Sequence, residues 1–197
     1  MRQIAIIIAA LAFSLSSYAS ANLLTNGGFE TGDFTGWEYA WNDFNFATTG
    51  TPHSGSYATR NYYDGGMYQT VTATAGETYQ LTGWAFVPGG GSATGWGSYI
   101  EVQFLNASGA LLEKQNIEMQ TKTRSQYNLA DTGWVVAPDG TVTARIEFGT
   151  WKSGTAVPAN PTDFDDFNFE AVPEPSSLIL LGVGLFGIIG FATRKRK

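Results

Sequence analysis

Apolar and polar positions alternate through most of the chain between residues 22 and 171. Met67–Thr74, Thr78–Val87, Ser98–Leu105, Thr141–Thr150 and Phe164–Glu170 read as strands, with Ala75-Gly76, Ser108-Gly109 and Asp139-Gly140 as tight-turn pairs between them. No stretch of this region carries a helical period, so the predicted class is all-β. Short strands at even spacing, with 13 Phe, 9 Tyr and 6 Trp to fill a core, predict a β-sandwich or barrel. The glycine-rich segment Pro88–Gly97 is expected to be a surface loop.

The same alternation assigns faces. Ile100, Val102 and Phe104 form a core set that leaves Tyr99, Glu101 and Gln103 on the opposite side. Ile146 and Phe148 point inward, so Arg145, Glu147 and Trp151 point out; Tyr79 and Leu81 take the core, leaving Gln80, Thr82 and Trp84 outside. If these strands share one sheet, that face joins aromatic platforms to carboxylate, amide and guanidinium groups. Sugar recognition needs this mixture, because C–H faces stack on rings while hydroxyls need planar polar partners. The plainer alternative is that these are the polar residues any solvated sheet presents. Trp37 and Trp134 are expected in the core; Trp41, Tyr62, Tyr63 and Trp96 are expected in or beside rim loops, where their rings could stack on a ligand.

Both ends of the chain depart from the pattern. Arg2, the apolar run Ile4–Phe13 and Ala19-Ser20-Ala21 have the layout of a signal peptide. Residues 1–21 are therefore expected to be removed by signal peptidase, leaving Asn22 as the mature start. Residues 172–197 contain Pro173-Glu174-Pro175, an uncharged apolar run from Leu178 to Ala192, and the cations Arg194, Lys195, Arg196 and Lys197. The run is a little shorter than the roughly 20 residues a spanning helix uses. It predicts a single transmembrane helix over 178–193, with the cations retained on the cytoplasmic side. This tripartite tail resembles the PEP-CTERM sorting signal of exopolysaccharide-producing Gram-negative bacteria, also labelled an ice-binding protein C-terminal domain. The resemblance implies transient anchoring in the inner membrane and processing at Pro-Glu-Pro by exosortase, a membrane transpeptidase. The cargo would then reach the cell surface or the extracellular polysaccharide matrix. A plain membrane anchor shares the helix and the cations but leaves Pro-Glu-Pro unexplained.

Without those ends, residues 22–171 form one domain of ordinary size. It holds six basic against sixteen acidic residues, a net charge of −10. With its cations scattered, such a surface repels nucleic acid. The chain has no cysteine and a single histidine, His53. Disulfides, thiol catalysis, Cys-based zinc sites and His-rich metal centres are thereby excluded.

Local signatures follow one another in a definite order. Asn22-Leu23-Leu24-Thr25-Asn26-Gly27-Gly28-Phe29-Glu30 and Gly36-Trp37 open the domain, followed by His53-Ser54-Gly55-Ser56-Tyr57, Tyr68-Gln69-Thr70-Val71 and Ala75-Gly76-Glu77-Thr78-Tyr79. Phe164-Asp165-Asp166-Phe167-Asn168-Phe169 closes it. The series resembles the jelly-roll carbohydrate-binding modules of the galactose-binding-like superfamily. The implied fold is a jelly-roll β-sandwich over residues 22–171, flanked by the signal helix and the transmembrane helix. In related modules a structural calcium sits where the first strand, a middle turn and the last strand meet. By position, Glu30 and Asp165 would be its side-chain ligands, with backbone carbonyls near Ser54 to Ser56. The alternative is that Asp165 caps backbone N–H groups and Glu30 is a solvated acid. Strict alternation puts Asp165 on one face with Phe167 and Phe169, and Asp166 with Asn168 on the other.

For catalysis, Glu101, Glu147, Asp163, Asp165 and Asp166 are the carboxylates that a glycosidase pair would draw on. No nucleophile elbow, phosphate loop or metalloprotease motif is present. His53, in a Ser-rich turn, is expected to have a hydrogen-bonding role. The sequence therefore points to a non-enzymatic, exported protein that binds polysaccharide. Its alternatives are a structural or adhesive matrix protein without a sugar pocket and, more distantly, a glycan-active enzyme.

Overall fold

The computed structural model describes residues 21–41, 46–48, 51–62, 64–89, 95–152 and 161–172. Most of the expected signal peptide (residues 1–20), the Pro-Glu-Pro segment, the helix expected over 178–193, the basic tail and Tyr63 lie outside the described residues. Residues Ala21–Val172 form one compact unit. Among the described residues there are eleven strands and no helix. They are β1 (Glu38–Trp41), β2 (Phe46–Ala47), β3 (Thr59–Asn61), β4 (Gly65–Thr72), β5 (Thr78–Val87), β6 (Trp96–Leu105), β7 (Leu111–Glu118), β8 (Gln126–Asp131), β9 (Val135–Val136), β10 (Thr143–Lys152) and β11 (Thr162–Ala171). None of the described residues forms a helix long and apolar enough to cross a membrane.

Two antiparallel sheets make a jelly-roll sandwich. The first has the order β1-β4-β10-β6-β7; the second runs β2-β3-β11-β5-β8, with β9 also pairing β5. Alternation on the central strands holds: Ile100, Phe104, Ile146, Phe148 and Leu81 are all fully buried. Between the sheets lies a run of packed rings. Phe148 meets Phe167 at 4.7 Å and Trp37 at 5.1 Å, and Phe29 stacks on Trp37 at 5.6 Å. Close ring packing of this kind adds to the stabilisation from buried area.

The first turn does what its residues predict. Asn26 (φ 53°) and Phe29 (φ 57°) adopt the left-handed conformation, which drives Phe29 into the core and leaves Glu30 outside. A side chain at Gly27 would lie 2.2 Å from the Phe167 carbonyl. Only glycine lets this turn approach β11 closely enough for the Gly27 carbonyl to accept from Phe167 N.

Three expectations are corrected. Asp165 does not share a face with Phe167 and Phe169. The β11–β5 register slips between Asp165 and Asn168, and Asp166 sits at φ 50°. This one-residue bulge lets Phe164, Phe167 and Phe169 all point inward, while Asp165, opposite Trp84, points out. Trp134 is 52% exposed, because Gly133 (φ 62°) turns the chain between β8 and β9 and leaves the indole outside the core. Trp96 does lie beside a loop, as the first residue of β6, but its ring is buried instead of open to a stacking ligand.

Candidate functional site

The outer face of the first sheet is built in register. Across β1, β4, β10, β6 and β7 one row reads Glu38, Tyr68, Glu147, Glu101 and Asn116. The next row holds Thr70, Arg145, Gln103 and Lys114, and on the other side lie Trp41, Gly66, Gly149, Tyr99 and Glu118. Trp151 pairs with Gly97 beyond them. Six of the expected site residues therefore come together: Tyr99, Glu101, Gln103, Arg145, Glu147 and Trp151. Trp84 does not join them. Its strand β5 belongs to the second sheet, where its indole stacks on His53 at 4.0 Å.

Glycines shape the aromatic end of this face. A Cβ on Gly66 would strike the Trp41 ring at 2.4 Å, and one on Gly97 would strike Trp151 at 2.7 Å. Each indole thus lies flat on bare backbone. Trp41 is parallel to Tyr99, with an interplanar angle of 6° and centroids 6.3 Å apart.

The polar end is a hydrogen-bonded floor. Tyr99 donates its hydroxyl to Glu147 Oε1 at 2.8 Å, and Arg145 Nη2 donates to Glu147 Oε2 at 2.6 Å. Asn116 donates to Glu101 Oε2 at 2.8 Å and Lys114 pairs with the same oxygen at 3.3 Å, while Gln103 donates to Glu101 Oε1. The Arg145 guanidinium lies 3.7 Å above the Tyr68 ring, and Tyr68 donates to Glu38 at 2.7 Å. Burial first, then the adjacent Glu147 charge, pushes the Tyr99 phenol far above the ordinary tyrosine range. The bond to Glu38 likewise raises Tyr68. Both phenols therefore act as neutral donors.

Tyr99, Glu101 and Glu147 are buried, so they support the surface more than they offer it. Trp41, Trp151, Tyr68, Gln103 and Arg145 are partly accessible, and Lys114 and Asn116 are exposed. Every oxygen of Glu101 and Glu147 already accepts a hydrogen bond from a neighbouring side chain. Tyr68, Lys114 and Asn116 escaped the sequence reading. The β7 sequence, Leu-Leu-Glu-Lys-Gln-Asn-Ile-Glu, barely alternates, because this edge strand covers only Gln115 and Ile117 in part, Ile117 against the core.

The outer face of the second sheet is strapped by residues 51–57. Asp165 Oδ2 accepts from His53 N (2.8 Å) and Ser54 N (3.2 Å), and its Oδ1 accepts from Asp166 N at 2.7 Å. Glu30 accepts from the backbone N–H groups of Ser56 and Tyr57 at 3.0 Å. Asp166 binds His53 Nδ1 at 2.7 Å and the Ser54 hydroxyl at 2.8 Å. Asp165 and Asp166 thus converge on one turn despite their alternation, since the bulge re-aims both. Burial lifts the Asp165 carboxyl to about 6, against the lowering effect of its backbone donors. Glu30 and Asp165, the expected calcium ligands, both clasp this turn with oxygens suited to a hard cation. As arranged, all four oxygens hold N–H groups. Among the described residues no three acidic or histidine side chains are grouped to hold an ion.

Comparison with known proteins fixes the two parts of the chain separately. Residues 171–197 match the PEP-CTERM protein-sorting motif, which marks an exported protein. For the sandwich, the structure of TmCBM61 in complex with β-1,4-galactotriose is similar, with 20% identity, a TM-score of 0.54, and coverage of 78% of this chain and 100% of that one. This domain has the jelly-roll fold of carbohydrate-binding modules. A family 16 carbohydrate-binding module matches the jelly roll with 16% identity, a TM-score of 0.56, and coverage of 75% and 99%. The CBM22-2 xylan-binding domain from Paenibacillus barcinonensis Xyn10C matches with 16% identity, a TM-score of 0.50, and coverage of 74% and 98%. At such identities the likeness establishes the fold. No curated protein resembles the chain by sequence.

Proposed function

We propose that the jelly roll binds polysaccharide non-catalytically on the outer face of its first sheet, in a protein delivered by its sorting segment to the cell surface or extracellular matrix. The observation that carries this reading is the pair of indoles, Trp41 and Trp151, laid on Gly66 and Gly97 beside a fixed polar floor. Flat rings at one end suit the C–H face of a sugar; Gln103, Arg145 and Asn116 suit its hydroxyls. Neighbours of this fold are named for galactotriose and xylan, which supports a glycan ligand without choosing one. Glu101 and Glu147, fully engaged by neighbours, serve as scaffold carboxylates rather than as an acid–base pair.

In this reading exosortase processes the chain at Pro173-Glu174-Pro175, after signal peptidase has removed residues 1–21. The segment over 178–193 and the tail Arg194-Lys195-Arg196-Lys197 hold the chain transiently in the inner membrane of a Gram-negative cell. A glycan array with the purified domain 22–172 tests the binding. Polysaccharide binding that is weakened in Trp41→Ala and Trp151→Ala variants with native melting temperatures, through loss of the first-sheet site, is the expected result. Absence of binding to any glycan, including the producing cell's own polysaccharide, would favour a structural or adhesive matrix role instead.

Calcium at the 53–57 turn is a separate proposal, with Glu30 and Asp165 as its side-chain ligands, and it requires the ion to displace some of their N–H bonds. An ion bound only by the folded state raises the melting temperature. Melts that are unchanged by chelator would remove it.

A further inference from the structure

A second candidate surface lies on the opposite side of the sandwich. Across β3, β11, β5 and β8 the outward residues Arg60, Asp163, Phe86 and Tyr127 form one row. Beside this row is a cavity of about 620 Å³, lined by Thr51, Arg60, Phe86, Pro88, Ser125 and Asp163 among others. The first-sheet face does not use it, since the core and both sheets lie between them.

Its chemistry is specific. Asp163 is 1% exposed and takes Arg60 in a two-point grip, Nε to Oδ1 at 2.6 Å and Nη2 to Oδ2 at 2.7 Å. That fork fixes the plane of the guanidinium and cancels its charge. Thr51 N donates to the same carboxylate at 3.0 Å, and the Tyr127 hydroxyl donates to Thr51 O, so the wall of the cavity is tied to its base. Phe86 packs edge-on against Tyr127 at 5.6 Å. Ser125 holds an uncommon left-handed backbone (φ 59°), and its hydroxyl lies where a Cβ on Gly89 would be, 2.2 Å away.

An anion finds no net positive charge here, and an apolar ligand would strand the guanidinium, the hydroxyls and the carboxylate. A ring with an apolar face and several hydroxyls satisfies both halves of the lining. We propose that this cavity is a second binding site for a neutral saccharide, which makes the chain bivalent and able to bridge two polysaccharide strands. The inference rests on the carbohydrate reading of the first-sheet face, and its test separates the two.

The probes are β-1,4-galactotriose and xylohexaose, titrated into the full chain in detergent micelles by calorimetry. Three variants are compared with the native chain: Trp41→Ala on the first sheet, Phe86→Ala in the cavity, and Thr51→Trp. The last of these fills the cavity from an exposed position while leaving the backbone bonds of residue 51 in place. The native chain is expected to bind two equivalents of a probe. Thr51→Trp and Phe86→Ala should each retain only the site that Trp41→Ala removes. Light scattering with the parent polysaccharide should show bridging by the native chain and none by either class of variant, because bridging needs both sites. One equivalent in the native chain, lost in Trp41→Ala and untouched in Thr51→Trp, would overturn the second site and leave the first standing. No binding of either probe or of polysaccharide would overturn both. If Phe86→Ala unfolds, Thr51→Trp alone decides.

Discussion

Asp165 is the residue whose behaviour with pH is most diagnostic. Its carboxyl is fully buried and titrates at about 6 in the folded chain, against 3.8 for an ordinary aspartate. The shift corresponds to about 3 kcal/mol. A raised folded pKa means that the fold binds the proton more tightly than the unfolded chain does. The stability this group contributes is therefore complete below about pH 4 and is lost as pH rises through about 6. Asn in its place cannot ionise. It can accept from His53 N and Ser54 N with its one oxygen, but it then sets an NH₂ group against Asp166 N, which costs on the order of 1–3 kcal/mol at any pH. Urea melts of native and Asp165→Asn domain at pH 4, 5, 6 and 7, with chelator present, isolate the group, because other titrations are common to both proteins. The native-minus-variant stability should fall by about 2 kcal/mol from pH 4 to pH 7. A difference that is flat or rises with pH would show that the three backbone donors outweigh burial, and would refute the reasoning. Repeating the series in calcium adds a second reading. An ion on Asp165 would favour the carboxylate and make the difference rise with pH.

Other consequences are simpler to read. Gly66→Ala and Gly97→Ala should each displace an indole from the first-sheet face, weakening glycan binding at that face at least tenfold, or about 1.4 kcal/mol, with little change in melting temperature. Arg60→Ala should destabilise the domain by about 3 kcal/mol, because it leaves Asp163 charged and buried; denaturant midpoints should recover when Asp163→Asn is added. Gly83→Leu should unfold the domain at ambient temperature, since even a Cβ there would lie 2.8 Å from the Phe167 ring; a folded variant by circular dichroism would contradict the packing described. The first-sheet face carries Glu38, Glu101, Glu118 and Glu147 against Arg145 and Lys114. Uronate-rich polysaccharides should therefore bind more weakly than neutral ones at low salt, and the gap should narrow as salt screens it.

How much of this was legible in the chain depends on what each residue answers to. Strands β5, β6 and β10 were readable, since both their neighbours are strands and one face must be buried, which leaves a strict alternation. The opposed polar cluster followed from that alternation alone, and register then set Glu101 beside Glu147 and Gln103 beside Arg145. Which strands share a sheet is a different kind of information. It is carried by long-range pairing, and Trp84 has the same local pattern as Tyr99 while lying on the other sheet.

The bulge at Asp166 shows why local pattern fails where it matters. Phe164, Phe167 and Phe169 cannot all lie on one face of a regular strand, because two of the spacings conflict. The core needs all three rings, and Phe148 touches both Phe164 and Phe167. A single left-handed residue resolves the conflict and turns Asp165 outward against Trp84, beneath the strap. Three phenylalanines at odd and even positions in the closing segment were therefore the sequence signal for a bulge. That signal takes Asp165 off the core face; the turn at His53 and Ser54 that receives both acids is supplied by long-range contacts. Core demand, acting through one backbone irregularity, is what gathers these acids on the side of the sandwich away from the glycine-backed tryptophans.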